Sequence, residues 1–173
     1  MSPSDLDPAE HIRNPERQVE ATAQALSGQG KYTEAEKMHR ETLALREKVL
    51  GKEHPSTLTS MNNLARALSD QGKYAEAEKM HRETLALREK VLGKEHPSTL
   101  ASMNEVGVAL SYQGKYAEAE KMHREVLALV ERVLRKEHSS TLTSMNNLAR
   151  ALRDQGKYTE AISPIQQYFR LRK

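Results

Sequence analysis

The residues best suited to chemistry in this chain are its histidines, carboxylates and hydroxyls, and most of them recur at a fixed interval. His39, His81 and His123 stand 42 positions apart, as do His54, His96 and His138. Imidazole is a common metal ligand, so two such series invite a metal centre. Spacing opposes it. His39 and His54 are 15 positions apart, about 20 Å along a helix that rises about 1.5 Å per residue. Equivalent histidines on successive repeats are held apart by helix packing, whose axes approach no closer than about 8 to 10 Å. Neither series closes a coordination shell, and no metal or cofactor is expected. Nucleophilic catalysis fares no better. The Glu-rich and Ser/Thr-rich stretches recur alike in each copy, and no position pairs a nucleophile with a uniquely placed base. Gly51, Gly72 and Gly93 stand alone, without the glycine-rich run that cradles a phosphate. The sequence predicts a protein that is not an enzyme.

The elements that position these residues must be economical. Of 173 residues, 4% are aromatic and 29% charged, lean for one compact globule. There is no cysteine, which excludes disulfides and thiolate metal sites and favours a reducing, cytoplasmic setting. No apolar run approaches the roughly 20 residues that span a bilayer, and Met1 to Glu10 lack the basic start and apolar stretch of a signal peptide. No membrane association is expected. The net charge of +3 is spread among intermixed signs with no uninterrupted basic tract, which argues against a dedicated nucleic-acid binder.

An internal repeat decides the architecture. Lys31 to Gly72 and Lys73 to Gly114 differ at only seven of 42 positions: Thr33/Ala75, Thr59/Ala101, Asn63/Glu105, Leu64/Val106, Ala65/Gly107, Arg66/Val108 and Asp70/Tyr112. A third copy runs from Lys115 to Gly156. Asn14 to Gly30 reads as a divergent second half of a unit and Lys157 to Lys173 as a truncated first half. Apolar residues recur at three and four positions between glycine and proline punctuation, so each unit holds two amphipathic helices. In the shorter, His54 and Pro55 open the helix and Leu58, Met61, Leu64, Ala65 and Leu68 form its buried stripe. In the longer, from Tyr74 to Leu92, the apolar face is Ala77, Met80, Thr84, Leu85, Leu87, Val91 and Leu92, with Gly93 as the stop. One helix pair cannot bury its own faces, so stability requires stacking on neighbours. The expected fold is all-α: a right-handed α-solenoid of about four antiparallel pairs, near 14–51, 54–93, 96–135 and 138–171. A polar, flexible leader (1–13) precedes a single repeat domain (14–173). Pro164 predicts a kink in the last helix or a late start at Ser163.

Asn63, Leu64, Ala65, Leu68, Gly72, Tyr74 and Ala77 fall at the spacing of the tetratricopeptide consensus, and the set recurs from Asn147 to Ala161. The unit exceeds the usual 34 residues or so through the extension Arg88 to Pro97. With HP, NNLA, QGKYAEAE and REKVLG in register, it resembles the repeats of kinesin light chains and of fungal nucleotide-binding immune-type receptor tails. His81 occupies a consensus position usually filled by an aromatic ring, which implies a packing role. Glu105, Val106, Gly107 and Val108 depart from the Asn-Leu-Ala-Arg of the other copies, and Arg135 and Ser139 replace a linker glycine and proline. The third and fourth pairs are therefore expected to dock differently.

The resemblance implies a protein-protein interaction scaffold in which the first helix of each pair lines a peptide-binding groove. Carried over by register, the groove holds Asn62, Asn63, Arg66 and Asp70; Asn104, Glu105, Val108 and Tyr112; and Asn146, Asn147, Arg150, Arg153 and Asp154. Asparagine amides can pair with the main chain of an extended peptide, and arginines offer a planar fork to a carboxylate. Val108 and Tyr112 between Arg66 and Arg150 suit an acidic protein or peptide with an apolar anchor. The plainer reading is that the first asparagine of each pair caps packing and the arginines solvate a face. One tyrosine and the acids Glu105, Asp70 and Asp154 make a poor track for RNA. An alternative function is a structural array. Ile162, Ile165, Tyr168 and Phe169 have no following repeat to cover them, so Ile162, Ile165 and Phe169 would support homotypic end-to-end association.

Overall fold

The computed structural model describes residues 8–133 and 139–171. Every described element is an α-helix: α1 (Pro8–Gly28), α2 (Tyr32–Leu50), α3 (Pro55–Asp70), α4 (Tyr74–Leu92), α5 (Pro97–Tyr112), α6 (Tyr116–Val133), α7 (Ser139–Asp154) and α8 (Tyr158–Leu171). The chain falls into two compact units, Met1–Lys73 with α1 to α3 and Tyr74–Lys173 with α4 to α8. In the first, α2 packs on both α1 and α3. In the second, each helix packs on the next and α5 also meets α7. Residues 1–7 of the expected leader lie outside the described residues, as do Arg135 and His138; α1 takes in residues 8–13.

Side chains write the helix ends. Pro55 and Pro97 occupy first-turn positions where a missing N–H costs nothing. The preceding His54 and His96 cap those helices, each Nδ1 accepting the N–H of Ser56 or Ser98 at 3.1 Å. At the other end of α5, Lys115 N–H reaches back to the Leu110 carbonyl at 3.0 Å. That reversal needs the positive φ of 74° at Gly114, which glycine adopts without strain. The last helix starts at Tyr158, in register with α2, α4 and α6, and carries Pro164 within it, so the late start at Ser163 does not occur. Its first turn closes ahead of the proline, with Ala161 N–H bonded to the Lys157 carbonyl at 3.1 Å.

Packing follows the predicted stripes with one revision. Leu58, Met61, Leu64, Ala65 and Leu68 are all buried. In α4 only Ala77, His81 and Thr84 are buried; Met80, Leu85, Leu87 and Leu92 are half-buried and Val91 is exposed. With 19 residues against the 16 of α5, the last turn of α4 finds less surface to bury against. His39 and His123 are buried as His81 is, so the in-register histidine is a packing residue. In the second unit the core runs through Leu100, Met103, Val126 and Val130, then Val106, Leu110, Ala119 and Ala151, then Leu148, Leu152 and Ala161.

A carboxylate clasp recurs where one turn meets the preceding longer helix. Glu36 accepts from Gln71 Nε2 at 2.6 Å, Lys73 Nζ at 2.8 Å and Arg40 Nε at 2.8 Å. In the second unit Glu78 binds Gln113, Lys115 and Arg82, and Glu120 binds Gln155, Lys157 and Arg124, all between 2.7 and 2.9 Å. Lys73 holds Glu36 down to about 2, and Lys157 does the same for Glu120. At Glu78 burial pushes upward, but Arg82, Lys115 and Gln113 outweigh it and bring the carboxyl to about 2. At the fourth register position stands Ile162.

Candidate binding face

Four of the seven positions that distinguish the first two copies, Thr59/Ala101, Asn63/Glu105, Arg66/Val108 and Asp70/Tyr112, succeed one another at four, three and four residues. That spacing is one face of a helix. The third copy returns to the first set with Thr143, Asn147, Arg150 and Asp154. α3 and α7 therefore carry one row of side chains and α5 a different one.

In the first unit, Asn63, Arg66 and Asp70 line a notch of about 140 Å³ with Gln24 of α1, over the buried His39 of α2. Asn62 is half-buried beside them and Arg66 is exposed. Burial holds His39 below the ordinary histidine range while Glu20 pulls the other way.

In the second unit, Glu105 and Val108 are half-buried and Tyr112 is 55% exposed. The Tyr112 ring stacks on Tyr74 with centroids 5.0 Å apart and planes 10° from parallel, a contact the sequence reading missed. Asn104 is turned inward. Its amide donates to Ser144 Oγ at 3.4 Å and its oxygen faces His123 Nδ1 at 3.4 Å, tying α5 to α7 and α6. His123 fills the space beside Gly107, where an added Cβ would meet the ring Cε1 at 2.5 Å. Burial, assisted by Arg150, lowers His123 to about 4, so it is neutral at pH 7. On α7, Asn146 and Arg153 are exposed, Asn147 and Arg150 half-buried, and Arg153 donates to the adjacent Asp154 at 2.9 Å. Between α5 and α7 lies a cavity of about 220 Å³ lined by Ala101, Asn104, Glu105, Ser139 and Ser140, with Val130 of α6 at its base.

Val130 marks a change the sequence reading passed over. At the same register the other copies carry Arg46 and Arg88. Arg46 is buried and donates to the Ser56 carbonyl at 3.0 Å, Ser60 Oγ at 2.7 Å and Glu20 at 2.7 Å. Arg88 donates to the Ser98 carbonyl at 2.9 Å and Ser102 Oγ at 2.8 Å. Aligning the copies exposes the Arg-Arg-Val series, and the serines one turn apart in the next helix are its signal.

Three of the predicted binding residues thus share one notch in the first unit; in the second, Asn104 and Glu105 share the cavity between α5 and α7, and Val108 and Tyr112 lie further along α5. Ile162, Ile165 and Phe169 on α8 are 49, 41 and 62% exposed; the side chain of Tyr168 lies outside the described residues. Among the described residues no three His, Asp or Glu side chains gather as a metal site, and no helix is long and apolar enough to cross a membrane.

The tetratricopeptide repeat model matches residues 20–90, 67–132 and 104–173. The chain is similar to a putative kinesin light chain with nearly identical TPR-like repeats from Podosopora anserina, at 27% identity over 90% of this chain and 94% of that one, with a TM-score of 0.47. BtubC (BKLC) from P. vanneervenii matches at 19% identity over 91% of this chain and 63% of that one, with a TM-score of 0.80. A Rap protein complexed with competence and sporulation factor matches at 15% identity over 91% of this chain and 43% of that one, with a TM-score of 0.75. These last two likenesses carry the fold alone. No curated protein matches the sequence. The fold is the tetratricopeptide-like α-solenoid class read from the sequence, and the chain belongs to the tetratricopeptide repeat family.

Proposed function

We propose that this protein is a non-catalytic interaction scaffold that binds extended peptide or protein segments, its first unit through the row of side chains on α3 and its second through those on α5 and α7. The observation that supports this best is where the copies differ. Sequences otherwise nearly identical diverge at seven positions, four of them along one helix stripe that includes the exposed Arg66, Asp70 and Tyr112, while the buried exchanges, Leu64/Val106 and Ala65/Gly107, keep their apolar or small character. A change of charge and polarity concentrated on one row of a helix is what selection for a partner would leave. Val108 and Tyr112, backed by Tyr74, offer an apolar seat; Arg150 offers a cation to a partner's acidic residue. The lack of cysteine accords with a cytoplasmic setting.

Immobilised extended peptides pairing an aromatic anchor with acidic neighbours test this reading. Binding should fall about tenfold in Tyr112→Ala and in Arg150→Ala, as expected of aromatic and arginine contacts at an interface centre, with helical content unchanged. Peptides that ignore both substitutions would sink it.

The exposure of Ile162, Ile165 and Phe169 favours a second reading, homotypic end-to-end association. It meets one objection. A neighbour's Gln29 and Lys31, which hold the register of Gln71 and Lys73, would face Ile162 where the clasp needs a glutamate. Light scattering across protein concentrations decides it, a constant mass ruling the array out.

A further inference from the structure

We propose that the cavity between α5 and α7 is a receptor for the guanidinium group of an arginine supplied by a partner. Three observations converge on that chemistry. The first is the register. Arg46 places its guanidinium among Glu20, the Ser56 carbonyl and Ser60 Oγ, and Arg88 repeats the two serine contacts. Two repeats on, the same acceptor positions are Asn104, the Ser140 carbonyl and Ser144 Oγ, but the arginine has become Val130.

The second is that the space is open. Val130 ends where a longer side chain would continue, and Ala101 stands where the other copies have Thr59 and Thr143. Together they leave the cavity of about 220 Å³ that Asn104 and Ser140 line. In the absence of a guanidinium, Ser144 Oγ donates to the Ser140 carbonyl at 2.9 Å and accepts from Asn104 at 3.4 Å. Ser144 Oγ keeps a further lone pair, whereas the Ser140 carbonyl already takes the helical N–H of Ser144. An incoming arginine therefore displaces the Ser144 hydroxyl from that carbonyl and then reproduces the pair of contacts that Arg46 makes with Ser56 and Ser60.

The third is charge. Asn104 has replaced the carboxylate that Glu20 gives Arg46, and the lost charge returns one residue later, at the wall of the cavity. Glu105 stands where the other copies carry Asn63 and Asn147. A carboxylate beside two oxygen acceptors suits a planar, delocalised cation, whose fork spreads its hydrogen bonds over several oxygens, better than it suits a compact ammonium or an anion. The site sits on the proposed partner-binding face and rests on that reading for the source of the arginine, but not for its chemistry.

The test uses N-acetyl-arginine-amide as the probe, titrated into the full chain and followed by the amide resonances of Ala101, Asn104, Glu105 and Thr143. N-acetyl-citrulline-amide, which keeps the shape and loses the charge, is the control. The proposal expects saturable shifts at these residues with the arginine probe and about tenfold weaker binding of citrulline, since charge-assisted bonds are about twice as strong as neutral ones. Val130→Arg, which restores the residue of the first two copies, should abolish the titration. Glu105→Gln should weaken it with the fold intact, and Ala101→Thr, a side chain the other copies accommodate, should do the same by narrowing the space. A flat titration, equal binding of arginine and citrulline, or undiminished binding in Val130→Arg and Glu105→Gln overturns it. A flat titration alongside retained binding of the aromatic-acidic peptides removes this site and leaves the scaffold reading standing; the converse result removes the peptide reading alone.

Discussion

The seam between α2 and α3 and the seam between α6 and α7 are built from almost the same sequence and do different work. In the first, Arg46 is driven inward, 7% of its side chain exposed, and locks the N-terminal turns of α3 to Glu20 of α1. In the second the same position is Val130, which joins an apolar cluster with Leu100, Met103 and Val126. One seam is held by a satisfied buried cation, the other by contact alone with a cavity left over. A repeat protein can therefore open a site by deleting a structural group from a single copy while its neighbours record what once filled the space.

Breaking the first seam should have the largest effect. Arg46→Ala leaves Glu20 and two oxygens without their donor, and removal of one partner from such a buried set costs about 3 to 5 kcal/mol. Val130→Ala removes only apolar contact and should cost about 2 kcal/mol, near 0.8 per buried methylene. Urea denaturation monitored by circular dichroism gives both values. Equal losses would mean that the polar lock adds nothing beyond packing.

Acid sharpens the same contrast, because the clasp recurs at all three registers while the arginine is lost at the third. Glu36, Glu78 and Glu120 lie near 2 in the folded chain against 4.5 unperturbed. Each carboxylate thus contributes stability that is complete above about pH 4.5 and is lost as pH falls toward 2. Their basic partners are 40 to 50% exposed, for example Lys73 at 40% and Arg40 at 49%. Solvent screening on that side limits the contribution to about 1 kcal/mol per clasp. Melting temperature should decline over that window, and Glu78→Gln should flatten the decline. A pH-independent melting point from 5 to 2.5 would contradict the clasp.

Much of this arrangement was legible beforehand, and for a physical reason. Helices with amphipathic stripes and glycine-proline punctuation announce themselves locally, so the eight elements and the buried Leu58, Met61, Leu64 and Leu68 follow from spacing. Polar interactions between helices do not. The clasp of Glu36 with Lys73 joins residues 37 positions apart, and no periodicity distinguishes Glu36 from the exposed Glu34 two residues earlier. The inward turn of Asn104 was open for a similar reason, because an amide suits a groove and a packing contact equally well. His81 and its equivalents were read as packing residues from the family consensus; periodicity alone would have left them out of the α4 stripe.

His123 offers a smaller effect that distinguishes the α5 region from the rest. Its ring, packed on Gly107, is held to about 4 by burial, with Arg150 adding to the depression. The unfolded chain takes up that proton near 6.5 and the folded chain does not until about 4, so stability is complete above pH 6.5 and declines as pH falls through that interval. Titration of the ring carbons by NMR should show a midpoint near 4. A midpoint near 6.5 would place the ring in solvent and dissolve the Asn104–His123 contact.

The smallest expected effect concerns α8, where Ile162 interrupts the clasp series. Ile162→Glu installs at the fourth register the carboxylate found at Glu36, Glu78 and Glu120. If end-to-end docking is limited by that missing group, the variant should gain mass with concentration in light scattering where the parent does not, through a neighbour's Gln29 and Lys31, and the gain should vanish in high salt, which screens an exposed ion pair. If docking is instead driven by the apolar row, Ile162→Glu should reduce association and Phe169→Asp should reduce it further. The two substitutions thus separate a polar code for stacking, which the repeats carry three times, from an apolar face that belongs to α8 alone.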